Sequence, residues 1–233
     1  TSRATREAAL QALAAEGISA RPHPLAKTAL EVTENPRKIQ GSAAYANGLV
    51  ELQDAASQAL VEALPLVPGQ RVLDYCAGGG GKTLAMAARA PLDLTAHDAA
   101  PQRLRDLPAR AERAGVRLQI GAPEGAYEGV LVDAPCSGSG AWRRAPEGKW
   151  RLTPDRLAAL VALQAEILDR SAGATAPGGW LAYATCSLLD AENDAQAHAF
   201  CARHPAFRLG PTLRLTPLDG GDGFFMALFS RAP

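Results

Sequence analysis

Cys136 and Cys186 each follow a short apolar segment, in Asp133-Ala134-Pro135-Cys136-Ser137-Gly138-Ser139-Gly140 and in Ala184-Thr185-Cys186-Ser187. Upstream, the apolar Arg71-Val72-Leu73 runs into a glycine-rich turn, Asp74-Tyr75-Cys76-Ala77-Gly78-Gly79-Gly80-Gly81-Lys82-Thr83. A turn able to hold a cofactor, followed by two placed thiols, suits chemistry that needs a nucleophile and a second proton-handling group. Methylation of carbon 5 of a pyrimidine is one reaction that demands both.

The glycines let a ligand approach the backbone and receive N–H groups at a helix start. The phosphate-loop pattern Gly-x-x-x-x-Gly-Lys-Thr needs glycine at position 76, where Cys76 stands. Gly-x-Gly-x-x-Gly also fails, because position 83 is threonine. The next apolar segment ends in His97-Asp98, about 20 residues beyond the turn, where an acid can accept hydrogen bonds from ribose hydroxyls. Asp98 also suits a helix N-cap ahead of Ala99-Ala100-Pro101, and the two roles can coexist. Cys76 is open between packing and lining the cofactor turn. The histidines at 23, 97, 198 and 204 show no metal spacing.

Positioning these residues requires an alternation of strands and helices. Candidate strands are Val72–Cys76, Leu92–His97, Val116–Ile120, Gly129–Asp133 and Trp180–Thr185, with a last apolar strand at 223–229. Helical patterns cover Thr83–Arg89, Pro101–Ala114, Pro154–Ala174 and Ala191–Arg203. That order predicts an α/β fold, a mostly parallel sheet with helices on both faces. Asp74, Asp98, Asp133 and Cys186 then fall near carboxyl ends of strands and should converge on one cleft. Ahead of the sheet, a helical stretch from Arg6 to Glu16 precedes Pro22, Pro24 and Pro36 and the basic Arg37 and Lys38. Residues 1–50 therefore read as a small appended module, and 51–233 as the catalytic domain. A helix from Leu52 to Leu64 opens that second part.

The net charge is zero, with 24 basic and 24 acidic residues, which excludes a purely electrostatic nucleic-acid binder. A local basic patch on a neutral protein can still grip RNA. Four cysteines without a Cys-x-x-Cys pair argue against a disulfide scaffold or a structural zinc, and Cys201 is expected to be buried and inert. No apolar run reaches the ~18–20 residues of a membrane span, and the first residues lack a signal-peptide core. A cytoplasmic enzyme is expected, with no metal and no membrane partner, acting as a monomer. The sequence opens at Thr1 without a methionine, so a trimmed start is expected.

In order and spacing, these pieces resemble the RNA (cytosine-5)-methyltransferases of the Nop/Sun family, nearest to the bacterial small-subunit rRNA enzymes. The match runs from about Gly48 to Phe229. It takes in Leu52–Gln58, the Asp74–Thr83 turn, His97-Asp98 with Arg103-Leu104, Asp133–Gly140, Lys149-Trp150, Gln164 with Ile167-Leu168, Pro177-Gly178-Gly179, and Thr185-Cys186-Ser187 followed by Glu192-Asn193. The resemblance implies a Rossmann-like class I S-adenosylmethionine-dependent fold with an antiparallel last strand, and an RNA-binding role for the N-terminal module. It implies S-adenosylmethionine held by Cys76, Ala77, Gly78, Gly79, Gly80, Gly81, Lys82, Asp98, Arg103 and Asp133. It also implies Cys186 as nucleophile toward cytosine C6, Cys136 as the group that assists release, and Asp133 on the N3/N4 edge of the base.

Two departures stand out. Gly78-Gly79 replaces the family's Ala-Pro, and Gly121-Ala122-Pro123-Glu124 lacks the acid that bonds the adenine amino group. Adenine recognition then falls to backbone groups or Glu124. Arg143, Arg144 and Lys149, beside Trp150, are the candidate RNA contacts, with Trp150 itself expected in the core. The substrate expected is RNA, small-subunit rRNA ahead of tRNA. Rival readings are a catalytically silent RNA-binding assembly factor and a nucleotide-phosphate hydrolase, the latter disfavoured by the glycine–lysine spacing.

Overall fold

The computed structural model describes all 233 residues. The first 46 build α1 (Arg6–Ala15), the strands β1 (Ser19–Pro22) and β2 (Leu30–Glu34), and α2 (Ala43–Ala46). β1 and β2 pair antiparallel, so the proline-rich stretch is a hairpin rather than loose chain. Leu13, Ile18, Ile39 and Ala44 close a small apolar cluster of their own. The Glu16 carboxylate accepts the N–H groups of Ala43 and Ala44, tying α1 to the start of α2. This unit is fastened to the rest by the Lys27 N–H on the Glu62 carboxylate, the Thr28 hydroxyl on Gln58 and Arg113 over the Tyr45 ring.

Then follow α3 (Ala55–Glu62), β3 (Arg71–Asp74), α4 (Gly81–Arg89), β4 (Asp93–Ala96), α5 (Leu107–Ala114), β5 (Gln119–Ile120) and β6 (Tyr127–Asp133). The chain continues with α6 (Glu147–Arg151), α7 (Pro154–Ala174), β7 (Thr175–Thr185), α8 (Asp194–Arg203), β8 (Phe207–Leu215) and β9 (Phe224–Arg231). Seven strands form one sheet in the order β5-β4-β3-β6-β7-β9-β8. All neighbours are parallel except β9, which runs antiparallel between β7 and β8. From β3 the chain winds one way through β4 and β5, then crosses to β6 on the other side. Asp74 and Asp133 end the two strands at that reversal, where α/β sheets open a ligand crevice.

The central strands are apolar on both faces, as parallel strands covered by helices must be. Val130, Leu131 and Val132 in β6 and Leu181, Ala182 and Tyr183 in β7 are all fully buried. β8 is absent from the expected strands because its sequence does not read as one. It is an edge strand, mostly exposed, and its register slips between Leu209 and Thr212, around Gly210-Pro211. A proline survives in a sheet only at such an edge or irregularity.

The helix expected over 101–114 is two pieces, a 3-10 turn at Pro101–Leu104 and then α5. Pro108 sits in the first turn of α5, where its missing N–H costs nothing, and it could not lie inside a continuous helix. α7 follows its sequence signals closely: the Thr153 side chain caps the Arg156 N–H, and Pro154 opens the first turn. α8 starts at Asp194 rather than at 191, because residues 190–192 form a 3-10 turn that places Glu192 beneath the loops after β6 and β7. Cys201 is partly exposed rather than buried, although burial still pushes its thiol up. No helix is long and apolar enough to cross a membrane.

Candidate active site

The turn after β3 is held open by its glycines. Gly78 and Gly80 have φ of +51° and +78°, a region that favours glycine. A Cβ on Gly80 would also meet Leu107 Cδ1 at 2.2 Å, so the turn seats directly on α5. Gly80 N–H bonds the Ala77 carbonyl, and Ala77 N–H bonds that of His97, which joins the turn to the end of β4. Asp98 organises the same turn from below: its carboxylate accepts the Gly78 N–H at 3.0 Å and the Ala100 N–H at 2.9 Å, and faces Arg103 at 3.3 Å. The N-cap role expected for Asp98 is thus present as a turn bond ahead of Pro101. The carboxylate retains acceptor capacity beyond these bonds.

Above the turn lies a cavity of about 320 Å³. Asp74, Cys76, Ala77, Gly78, Gly79, Gly81, Lys82, Arg103 and Asp133 line it, together with Gln53, Ser57 and Arg110, to which sequence reasoning gave no role. Arg110 also donates to the Gly79 carbonyl. Nothing in an ordinary charged helix face marked it. Gln53 and Ser57 lie in the Leu52–Gln58 segment singled out by resemblance, but without a task. Of the expected cofactor residues, the buried Gly80 and Asp98 do not line this cavity, and the exposed Glu124 lies outside it as well.

Asp74 is buried, with Oδ2 accepting the Thr83 hydroxyl at 2.6 Å and Oδ1 without a partner. Burial raises its carboxyl to about 7; Thr83 and Lys82 oppose this, while Asp133 and Asp98 add to it. Cys76 is pushed up to about 12, first by burial and then by the carboxylates of Asp74, Asp98 and Asp133. It is a wall of the cavity and not a nucleophile. An orphan acceptor, a turn without side chains and an acid at the end of β4 fit a nucleoside carrying a cationic amino-acid tail.

Lys82, in the first turn of α4, reaches across to Asp133 at the end of β6, Nζ to Oδ2 at 2.7 Å. The two thiols face each other beyond it: Cys136 Sγ lies 3.4 Å from Cys186 Sγ. Their environments separate them. Cys186 is lowered by its contact with Cys136 and by Lys82, against burial and Asp133. Cys136 is raised by that same contact, by burial and by the negative charges of Cys186 and Glu192. These opposed directions make Cys186 the more acidic thiol of the pair, and the thiolate is the form that attacks carbon.

The candidate RNA contacts divide. Asp222 is buried and pairs with Arg143 Nε at 2.8 Å and with Arg144, and Asp54 holds Arg143 Nη2 at 2.9 Å. These two arginines thus anchor the turn after residue 140 to α3 and to the segment before β9. Lys149 and Trp150, both exposed on α6, have no side-chain ion pair and lie against each other, Lys149 Nζ 5.5 Å from the centre of the Trp150 ring. Trp150 is 81% exposed, which corrects its expected place in the core.

A mostly parallel sheet with one antiparallel strand inserted next to last, and a glycine-rich turn after its central strand, defines a class I S-adenosylmethionine-dependent methyltransferase fold. The chain belongs to the family described as 16S rRNA methyltransferase RsmB/F, whose model matches residues 61–230. It is 37% identical over 242 residues to ribosomal RNA small subunit methyltransferase B of Salmonella arizonae, covering 96% of this chain and 56% of that protein. The chain spans about half the length of the curated relatives it matches. Among solved structures it is similar to PH0851 (TM-score 0.93, 30% identity), over 99% of this chain and 58% of that one. It is also similar to a methyltransferase homolog protein from Pyrococcus horikoshii (TM-score 0.85, 25% identity), over 99% of this chain and 84% of that one.

Proposed function

We propose that this chain transfers a methyl group from S-adenosylmethionine to C5 of a cytosine in small-subunit rRNA, through a covalent bond between Cys186 and C6 of the base. The observation that carries the reading is the pair of thiols 3.4 Å apart beside the Lys82–Asp133 ion pair, which itself borders the cavity. The relatives named above as rRNA methyltransferases favour rRNA over tRNA.

Gly78, Gly79, Gly81, Lys82 and Asp98 are the residues we assign to the cofactor, with Asp98 on the ribose and the turn's backbone against the nucleoside. When bound, S-adenosylmethionine supplies an electrophilic methyl group. Cys186 thiolate adds to C6, and the electron pair displaced toward C5 makes that carbon a nucleophile. Asp133 holds the N3/N4 edge of the base. After methylation, H5 leaves as a proton and the Cys186–C6 bond breaks, restoring the aromatic ring and the thiolate. Cys136, in contact with the Cys186 sulfur, is the group placed to take part in that elimination. Lys149 and Trp150 supply a phosphate contact and a stacking face for RNA near the cleft. Residues 1–50 serve as a small RNA-binding module, with Arg37 and Lys38 on its surface. The reaction belongs in the cytoplasm, where rRNA is found.

The test is methyl transfer by the purified chain from labelled S-adenosylmethionine to protein-free 16S rRNA, with tRNA in parallel and nucleosides resolved by mass spectrometry. Label in 5-methylcytidine of rRNA is the expected result. Label confined to tRNA would replace the substrate. Cofactor binding without label in either RNA would make the chain a silent binding factor.

A further inference from the structure

Glu192 is fully buried, and its carboxylate has only neutral partners. Oε1 accepts the Ser137 N–H at 2.8 Å and Gln164 Nε2 at 2.9 Å. Oε2 accepts the hydroxyls of Ser137 and Ser187, both at 2.5 Å. Ser137 follows Cys136 and Ser187 follows Cys186, so one carboxylate grips the neighbours of both thiols. The grip has its own supports. Gln164 from α7 also donates to the Pro135 carbonyl at 2.9 Å, and the Tyr183 hydroxyl donates to the Glu192 carbonyl at 2.7 Å.

Burying a carboxylate among neutral groups costs free energy that a pair of apolar side chains would not. Stability alone does not explain its presence. The loops it joins come from different strands, β6 and β7, and the contact between their sulfurs is set by how these loops face one another.

We propose that Glu192 is a positioning residue: by holding Ser137 and Ser187 on one carboxylate, it fixes the separation between the Cys136 and Cys186 thiols. Its negative charge also lies toward Cys136 and favours the proton there rather than on Cys186. The inference deepens the proposed reaction and rests on it for the meaning of the thiols, but not for their geometry.

The experiment reads that geometry without turnover. Diamide, an azo oxidant, takes two electrons and two protons from the thiol pair and becomes a hydrazine, leaving a Cys136–Cys186 disulfide. The S–S bond is ~2.05 Å, so closure needs the sulfurs to move only a short way from contact. Closure is followed by peptide mass mapping in wild type, Glu192→Gln and Glu192→Ala, with melting curves as the control for folding. Glu192→Ala is expected to close at least about tenfold more slowly, as a misplacement near 1 Å would do. Glu192→Gln, which can still bond all four partners, should stay within about threefold of wild type in closure. In the same variant, iodoacetamide labelling should shift from Cys186 toward Cys136 by about threefold or more, because the charge is gone.

Closure in folded Glu192→Ala within about twofold of wild type would overturn the proposal. If Glu192→Ala does not fold, Ser187→Ala, which removes the Cys186 side of the clamp and leaves the Gly140 N–H on the Cys186 carbonyl, is judged by the same criterion. Slowed closure in a protein whose wild type transfers no methyl group would uphold the clamp and overturn the function instead.

Discussion

Nζ of Lys82 lies 2.7 Å from Oδ2 of Asp133, so the first turn of α4 is bolted to the end of β6. The ammonium, 10% exposed, also stacks 4.8 Å from the centre of the Phe224 ring and is one of the charges that lower the Cys186 thiol. Lys82→Met should therefore act twice. Stability should fall by about 1–3 kcal/mol, less than for a fully buried pair because Asp133 is a third exposed. Alkylation of Cys186 should also slow near neutral pH, since the Cys186 thiol loses a cation that lowers it. An unchanged alkylation profile in folded Lys82→Met would remove Lys82 from the activation of Cys186.

Asp74 gives a pH signature. Its folded carboxyl titrates near 7 and its unfolded one near the model-peptide value of 3.8, so the folded state binds more protons between these values. Stability contributed by this group therefore falls as pH rises from about 4 to about 7, and stays low above that. Asp74→Asn, neutral throughout, should match wild type near pH 4 and exceed it by a few kcal/mol, roughly 4 at most, near pH 8. Melting temperatures across that range check the sign. A difference that does not change with pH would show Asp74 ionised at no cost, and a wild-type advantage that grows with pH would show its folded carboxyl lowered rather than raised.

On the RNA face the residues should part company. Trp150→Ala should leave the melting temperature unchanged, because the ring is exposed, and weaken RNA binding by about 1–3 kcal/mol through lost stacking. Lys149→Ala should lower the slope of log affinity against log salt by about one. Arg144→Ala should differ from both by reducing stability, because it strips a partner from the buried Asp222. Equal effects of Lys149 and Arg144 on melting temperature would contradict that division.

The parts of this site that were legible share a physical reason. Asp133-Ala134-Pro135-Cys136 and Thr185-Cys186 end strands whose apolar runs can only be buried, and a parallel sheet delivers such ends to one edge. The distance of Asp98 beyond the glycine turn pointed to that turn, and the structure bonds its carboxylate to the Gly78 N–H there. The clamp on Glu192 was not, since its partners lie 55 residues away at Ser137 and 28 away at Gln164, and no local pattern encodes the meeting. Trp150 misled because large aromatics are usually well buried, and the short helix α6 shows no periodicity that would have said otherwise. β8 was hidden by Gly210-Pro211, which breaks the strand pattern where an edge tolerates it.

The division of labour between the thiols is tested most directly by trapping the covalent stage. Cys136→Ala and Cys186→Ala are each incubated with S-adenosylmethionine and small-subunit rRNA, then run on a denaturing gel. The two sulfurs lie 3.4 Å apart, with the Cys186 thiol lowered and the Cys136 thiol raised, which on the proposed mechanism makes Cys186 the attacking group. Cys136→Ala should therefore attack and methylate but fail to eliminate, accumulating a protein–RNA adduct that survives denaturation. Adding Cys186→Ala to it should abolish the adduct, and Cys186→Ala alone should form none. An adduct in Cys186→Ala and none in Cys136→Ala would reverse the roles, and full methylation by both variants would contradict the covalent mechanism itself.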